Sequence, residues 1–192
     1  MPWFELAAAL VSALGVWLMA RRRPWAWPVG LVSVLAYGVV FIDARLYSDA
    51  LLQGAFGVMI LYGWWGWLHH LEDDGRVLPV PLARAPALRD VALGALGALA
   101  LGAFMHYRTD AALPWLDAAL AAFSLVAQWW QARRHTASWW LWIIVDVIYV
   151  GMYAYKDLFV TAVLYVGFIA LAVAGLRGWQ RAFREAATHR SG

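Results

Sequence analysis

"PWLDAALAAFSLVAQWWQARR", residues 114–134, repeats an earlier stretch, "PWFELAAALVSALGVWLMARR", residues 2–22, without a gap at an offset of 112 residues. Matching Ala and Leu would be common in any apolar chain, but the shared Pro-Trp start, internal Ser and closing Arg pair would not. The pairing continues with Trp27 and Trp139, Tyr37 and Tyr149, and Phe56 and Phe168. Self-similarity at a fixed offset indicates a duplicated structural unit. We therefore predict two copies of one unit.

The composition indicates an integral membrane protein. Of the 192 residues, 64% are hydrophobic and 14% are charged, whereas soluble domains average about 25% charged residues. The chain has no Cys, which excludes a disulfide framework and thiol chemistry. Its 14 Trp suit interfacial belts or stacking surfaces for a flat ligand. The formal net charge of +3 is explained better by basic loops than by a nucleic-acid site, so we expect no nucleic-acid partner.

Seven apolar runs approach the ~20 residues that cross a bilayer as a helix. Arg21, Arg22 and Arg23 follow the first run without a cleavage pattern, so we expect a retained helix rather than a signal peptide. The fourth run is the shortest and is rich in Gly and Ala, which suits close helix packing. The seven runs are 3–20, 25–42, 50–68, 90–106, 114–131, 137–155 and 158–176.

The Lys and Arg residues predict the orientation, because cytoplasmic loops carry the excess of positive charge. With seven spans and the N-terminus outside, twelve of the fifteen basic residues fall on the inner side. Arg45, Arg108 and Lys156 are the exceptions. We expect a multi-pass protein of the cytoplasmic (inner) membrane, with its N-terminus outside and its C-terminus inside.

The repeat and the orientation together predict the organisation of the chain. Both copies begin outside and end inside, so they are parallel, and an odd number of spans must join them. The expected segments are a first three-helix repeat at 1–67, a cytoplasmic loop and linking fourth helix at 68–112, a second repeat at 113–179 and a basic cytoplasmic tail at 180–192. Parallel repeats about an axis along the membrane normal are one plan of secondary transporters. Duplication that only builds a stable bundle is the alternative.

One face of the sixth span carries a candidate ligand site. Trp139, Trp142, Asp146, Tyr149 and Tyr153 are spaced 3, 4, 3 and 4 residues apart, so they share a helix face. A carboxylate at mid-membrane costs about 2.5–3.5 kcal/mol, so it should face a cavity or a partner. No Lys or Arg within the spans is an obvious partner. A flat cation between acid and aromatic faces would suit Asp146. The alternative is a carboxyl that bonds to helix neighbours or stays protonated.

Two further helices carry amides that could line the same cavity. Gln53 lies just inside the third span, and Gln128 shares a face of the fifth span with Ser124 and Asp117. Polar side chains of this kind also hydrogen-bond between helices in membranes. Ligand binding and helix packing are therefore both open for Gln53 and Gln128.

The string Trp139-x-x-Trp142-x-x-x-Asp146 resembles the WxxWxxx(N/D) signature of the Pnu-type vitamin transporters, the nicotinamide riboside transporter (PnuC) family. The segments "FIDARLYSDALLQGAFG" (41–57) and "YAYKDLFVTAVLY" (153–165) add to the likeness, which covers nearly the whole chain. The resemblance implies an all-α membrane fold of the SWEET-like 3+1+3 type. It also implies that Trp139, Trp142 and Asp146 lie at the substrate. Their implied companions are Gln53, Tyr149 and Tyr153.

The resemblance further implies the kind of transport. The expected substrate is a dephosphorylated, cationic aromatic vitamin, nicotinamide riboside first, which moves by facilitated diffusion and is trapped by an intracellular kinase that needs no contact with the transporter. The last signature position is more often Asn in the nicotinamide riboside branch, and here it is Asp146. Thiamine, also a cationic aromatic, and riboflavin are the alternative vitamins.

Other function classes have weaker support in the sequence. We expect no enzyme, cofactor or metal site, because the chain lacks HExxH, a Ser/His arrangement or a phosphate-binding glycine loop. A non-transport bundle or a proton-coupled channel is the alternative of another class. The sequence does not assign a role to His69 and His70. A homo-oligomer is compatible with it.

Overall fold

The chain folds into seven helices in the part that the computed structural model describes, residues 2–43, 47–108, 113–155, 157 and 159–190. The prediction of seven helices is confirmed. Of the basic residues that set the predicted orientation, Arg45 and Lys156 lie outside the described residues. The helices are α1 (Pro2–Ala20), α2 (Ala26–Asp43), α3 (Tyr47–Leu68), α4 (Arg84–Arg108), α5 (Pro114–Ala132), α6 (Ala137–Tyr155) and α7 (Phe159–Arg190).

Long apolar segments recur along the chain. Three described segments are long and apolar enough to cross a membrane by length and composition, and they are Arg84–Arg108, Ala137–Tyr155 and Thr161–Thr188. Shorter apolar helical segments are Leu10–Ala20 and Ala26–Ala36. Large apolar side chains such as Leu96 and Val163 are exposed on the outer surface, as expected where lipid covers the protein.

Helix packing follows the order of the chain. Within each set of three, α1 packs on α2 and α2 on α3, and likewise α5 on α6 and α6 on α7. The two sets meet where α1 packs on α7 and α3 packs on α5. These two contacts are equivalent at the 112-residue offset. We call α1–α3 the amino-terminal half and α5–α7 the carboxyl-terminal half, and residues 112 apart are matched positions. The division into repeats stays a prediction, and the equivalent contacts support it.

The linking helix α4 packs against α5. Near its start, the buried Asp90 accepts a 3.0 Å hydrogen bond from the indole Nε1 of Trp130 and pairs with Arg89 at 2.8 Å. Gly94 and Gly102 face rings of α5, since a Cβ at Gly102 would lie 2.5 Å from Trp115. The small residues of α4 therefore allow its close approach to the carboxyl-terminal half.

Four buried Trp residues join the halves at one end of the bundle. Trp27 packs edge-to-face on Trp67, with centroids 5.4 Å apart, and its matched residue Trp139 packs in the same way on Trp179 at 5.6 Å. The ring centroids of Trp67 and Trp179 are 5.8 Å apart. We call these four residues the tryptophan cluster. It lies in the main apolar core, so the two halves share this core.

Main-chain carbonyls of the opposite half accept the indole protons of two cluster members. Nε1 of Trp67 donates to the carbonyl of Gln131 at 3.2 Å, and Nε1 of Trp179 donates to the carbonyl of Met19 at 3.2 Å. Gln131 and Met19 are themselves matched positions. The halves therefore exchange the same hydrogen bond twice.

The segment between α3 and α4 closes this end of the bundle. Val77 is fully buried against the tryptophan cluster. Its amide donates to the carbonyl of Arg22, and the amide of Val80 donates to the carbonyl of Arg134. Both arginines have positive φ, 60° and 64°, at the turns after α1 and α5. The second Arg of each closing pair thus binds the same connecting segment. We call this end of the bundle the arginine-rich end.

Two helix ends add to what the sequence predicts. Helix α7 runs from Phe159 to Arg190, so most of the expected seventh span and much of the expected tail at 180–192 form one helix. His69 and His70 lie at the end of α3, where each Nδ1 is 2.7 Å from the carbonyl four residues earlier. These rings bond to otherwise unpaired carbonyls of the last turn. The structure thus shows a helix-ending contact for both histidines.

Candidate functional site

A cavity of about 360 Å³ lies between the two halves, next to the tryptophan cluster. Its volume lies in the range of roughly 300–1,000 Å³ that small-molecule sites occupy. Helices α1, α2 and α3 contribute one wall, and α5, α6 and α7 contribute the other. Five of the residues predicted from the sequence line it: Gln128, Trp139, Trp142, Asp146 and Tyr149.

Asp146 supplies the charge of this cavity. Its side chain is buried, with 7% of the residue exposed, and it is the one charged residue among the described residues that line the cavity. Among the described residues no basic side chain forms an ion pair with it. An unpaired carboxylate in low-dielectric surroundings attracts a cation strongly, since little water screens it. A cation in the cavity would offset the cost of burying this carboxylate in its ionised form.

The two Trp residues of the predicted signature have different surroundings. Trp139 is 1% exposed and belongs to the tryptophan cluster, where its ring lies against Gly175. A Cβ at Gly175 would lie 2.7 Å from this ring, so the close approach requires glycine. Trp142 is partly exposed, and its Nε1 donates a 2.5 Å hydrogen bond to Oε1 of Gln131. Trp142 is therefore the more accessible of these two lining rings, and Trp139 is packed into the core.

Gln53 and Tyr153 are not among the described residues that line the cavity. Gln53 lies on α3 next to Gly38 of α2. Tyr153 stacks on Tyr149, with centroids 5.7 Å apart, and lies 5.1 Å from Tyr165. A ligand contact of either residue stays a prediction that the cavity does not support.

Among the lining residues that the sequence-based set lacks, Gln131 and Tyr165 carry polar groups from the carboxyl-terminal half. Gln131 is 3% exposed and reaches the cavity from the last turn of α5. Tyr165 lines it from α7, at the position matched to Gln53. Comparison of the two repeats could have identified Gln131. It is a polar residue matched to the apolar Met19, and it lies in the same half as Asp146.

The wall from the amino-terminal half is mainly apolar. Val34 occupies the position matched to Asp146, and Val16 the position matched to Gln128. Gly30 is matched to Trp142. A ligand between the halves would therefore meet an acid and two amides on the carboxyl-terminal side, and on the other side apolar residues with Ser12, Ser33, Trp27 and Phe56.

Two other features of the structure are weaker candidates. A second cavity of about 300 Å³ lies at the arginine-rich end, lined by Trp17, Leu18, Arg21, Arg23, Trp25 and Arg76. None of these residues belongs to the carboxyl-terminal half. The described residues contain no group of three or more His, Cys, Asp or Glu that could hold a metal ion. The central cavity is therefore the candidate site.

An all-helical membrane protein with a ligand-sized cavity between two like halves is the class that the fold and the site define. Within this class, a family model described as "Nicotinamide mononucleotide transporter" matches residues 2–181. The chain therefore belongs to this family, whose members are vitamin transporters rather than enzymes. The resemblance seen in the signature and its flanking segments is confirmed.

Individual relatives support the same family. The nicotinamide riboside transporter PnuC of Escherichia coli is 25% identical over 96% of this chain and 88% of that protein. The riboflavin/roseoflavin transporter RibM of Streptomyces davaonensis is 28% identical over 92% of this chain and 84% of that protein. The crystal structure of the vitamin B3 transporter PnuC superposes with a TM-score of 0.77 and 24% identity, and covers 95% of this chain and 83% of its own. This last likeness shows the fold.

Proposed function

We propose that this protein carries a dephosphorylated, cationic aromatic vitamin across the membrane, with nicotinamide riboside as the first candidate. The observation that carries the proposal is Asp146, a buried acid without an ion pair among the described residues, in a cavity of ligand size. A positively charged ring would neutralise this carboxylate. The description of the family names a nucleotide, but a phosphate would bring a second negative charge close to Asp146. We therefore favour the dephosphorylated compound.

The aromatic residues fit a flat ligand. Trp142 and Tyr149 flank Asp146 along α6, and Tyr165 and Phe168 line the cavity from α7. A cation over an aromatic face gains about 0.5–2 kcal/mol, with the larger value where water is excluded. Trp142 is the residue that we assign to stacking, and Gln128 and Ser124 are within the same wall for hydrogen bonds to a ribose.

The mechanism that we propose is facilitated diffusion. Asp146, without a basic partner among the described residues, would neutralise the positive charge of the substrate. Phosphorylation by an intracellular kinase would then keep the imported vitamin inside. The distribution of arginines supports an inner-membrane protein with its N-terminus outside, which makes the arginine-rich end cytoplasmic. In this orientation the tryptophan cluster and Val77 would close the cytoplasmic side of the cavity.

Riboflavin is the second candidate, because the relative named for riboflavin and roseoflavin is 28% identical to this chain. Riboflavin is uncharged, so it would leave Asp146 without a counter-charge. Thiamine is cationic and would fit the acid as nicotinamide riboside does. The charge of the ligand therefore distinguishes riboflavin from the two cationic vitamins. Thiamine and nicotinamide riboside differ instead in the size of the ring that is attached to the cationic ring.

Isothermal titration calorimetry of the purified protein tests the proposal directly. Nicotinamide riboside, thiamine, riboflavin and the monophosphates of the first two would be titrated into the same preparation. We expect nicotinamide riboside to bind and its monophosphate to bind at least about tenfold more weakly, a difference of ~1.4 kcal/mol. Binding of riboflavin alone would replace the proposed substrate by the second candidate.

Uptake into proteoliposomes tests the mode of transport. We expect saturable uptake of labelled vitamin that accelerates when unlabelled vitamin is preloaded, because a carrier exchanges its substrate. Uptake that rises linearly with concentration would support a channel. Uptake that follows an imposed pH gradient would support proton coupling through Asp146 instead of facilitated diffusion.

A further inference from the structure

Gln131 occupies a position between the cavity and the contact of the two halves. It lies in the last turn of α5, is 3% exposed and lines the cavity. Its side-chain Oε1 accepts the 2.5 Å hydrogen bond from Nε1 of Trp142. This bond fixes the edge of the indole and hence the plane in which the ring faces the cavity, since an indole has one N–H donor.

The main chain of the same residue makes the second contact. The carbonyl of Gln131 accepts the hydrogen bond from Nε1 of Trp67, at 3.2 Å, and Trp67 is fully buried in the last turn of α3. Trp67 packs against Trp27 and Trp179 in the tryptophan cluster, against which Val77 is buried. Gln131 is therefore bonded on one side to a cavity ring and on the other to the core that closes the arginine-rich end.

The matched residue Met19 makes only one of these contacts. Its carbonyl accepts from Trp179 at 3.2 Å, as that of Gln131 accepts from Trp67. Its thioether is at most a weak acceptor, and Gly30 stands at the position matched to Trp142. The contact between halves thus occurs twice, whereas the link to a cavity ring occurs once. If the hydrogen bond between Trp142 and Gln131 served only helix packing, we would expect a counterpart in the other half. Met19 and Gly30, at the matched positions, cannot form one.

We propose that Gln131 is a positioning residue that sets the plane of Trp142 for the substrate and links the ring to the closure of the arginine-rich end. This inference rests on the proposed function. A ligand that stacks on Trp142 and turns its ring shifts the side chain of Gln131, and through the same residue it shifts the carbonyl that holds Trp67. Occupancy of the cavity then alters the packing around Val77.

The first experiment measures binding. Gln131→Met introduces the residue of the matched position, which has similar length and cannot replace the amide acceptor. We expect the Kd for nicotinamide riboside to rise about five- to tenfold, the factor that corresponds to one neutral hydrogen bond. Met19→Leu, which removes no hydrogen bond, should shift the Kd less. Thermal unfolding and the elution profile of each variant show that the protein is folded.

A double-mutant cycle separates the bond from general packing. Trp142→Phe removes the donor, and the double variant Gln131→Met/Trp142→Phe removes both partners. We expect the double variant to bind about as weakly as Trp142→Phe alone, since the bond can be lost only once. Effects that multiply would show that the two side chains act independently and would overturn the proposal.

The second experiment measures the link to the closed end. The chain has no Cys, so Val77→Cys gives a single labelling site at a fully buried position. We expect saturating nicotinamide riboside to change the labelling rate about threefold or more, and we expect Val77→Cys/Gln131→Met to lose this response while it still binds at saturation. An equal response in both proteins would overturn the proposal. A parent protein that binds no vitamin would instead overturn the proposed function.

Discussion

At the cavity, α6 presents Asp146 where α2 presents Val34, and Trp142 where α2 presents Gly30. At the tryptophan cluster the two halves make equivalent contacts, down to two indole-to-carbonyl bonds of 3.2 Å. The residues that hold the halves together are thus kept in pairs, and so are Ser12 with Ser124 and Phe56 with Phe168 in the cavity wall. Asp146 and Trp142 have no such counterpart. The packing frame is therefore common to both halves, whereas the acid that we propose to bind the ligand belongs to the carboxyl-terminal half alone.

The largest effect is expected from Asp146→Asn, which makes the two walls of the cavity alike in charge. A hydrogen bond to a charged group contributes about 1.5–3 kcal/mol, so affinity for nicotinamide riboside should fall roughly ten- to 150-fold. Titration calorimetry of the folded variant measures this. Asp117→Asn removes an acid near the start of α5 by the same substitution. It is the control and should bind as the parent protein does. Unchanged affinity in Asp146→Asn would place the ligand elsewhere.

Gly63→Ala and Gly175→Ala test whether the frame is common. The added Cβ would overlap the ring of Trp27 in one variant and lie 2.7 Å from that of Trp139 in the other. Overpacking of this kind costs about 1–3 kcal/mol, so both variants should unfold at lower temperature. Gly167→Ala meets nothing within 4 Å and serves as the control. A loss of stability in only one of the pair would break the equivalence of the halves.

Trp67→Phe and Trp179→Phe should have a smaller and equal effect. Each keeps an aromatic ring and removes the N–H that bonds to the opposite half. A net loss of about 0.5–1.5 kcal/mol for the hydrogen bond is expected in each variant, with an added loss for the smaller ring. Unfolding in detergent, followed by circular dichroism, would compare them. Unequal losses would show that the carbonyls of Gln131 and Met19 do not have equivalent roles.

The smallest effect concerns His135, which stands at the position matched to Arg23. Burial lowers the pKa of His135 below 6.5. The nearby Arg133 and Arg134 act in the same direction, and the hydrogen bond to the carbonyl of Val80 acts against it. The unfolded chain therefore takes up the proton first as the pH falls, and stability is lost below about pH 6.5. Thermal unfolding against pH should show a shallower acid decline in His135→Gln. Parallel curves for the two proteins would contradict this.

Much of the frame could be predicted from the sequence, for a physical reason. Residues that pack between the halves must satisfy the same geometry twice, so Trp27 and Trp139, or the two closing Arg pairs, recur at the 112-residue offset. Spans follow from apolar length, which the bilayer fixes. The placement of Asp146 in a cavity followed from the cost of its charge in lipid.

The rest of the site depends on contacts between helices. The spacing along α6 puts Tyr153 on the stripe of Asp146, but Tyr165 of α7 lies against Tyr153 and lines the cavity instead. The same spacing does not distinguish Trp139 from Trp142. Their neighbours do, since Trp139 packs on Trp179 and Trp142 bonds to Gln131. A single-helix pattern contains no information on which neighbour covers a side chain.

The most direct measurement compares nicotinamide riboside with its reduced form, dihydronicotinamide riboside, which has nearly the same shape and no positive ring charge. Calorimetric Kd values would be determined for both compounds with the parent protein and with Asp146→Asn. We expect the oxidised cation to bind at least about tenfold more tightly to the parent, and we expect this preference to disappear in the variant. Equal affinities for the two compounds in the parent protein would contradict the assignment of Asp146 as the counter-charge.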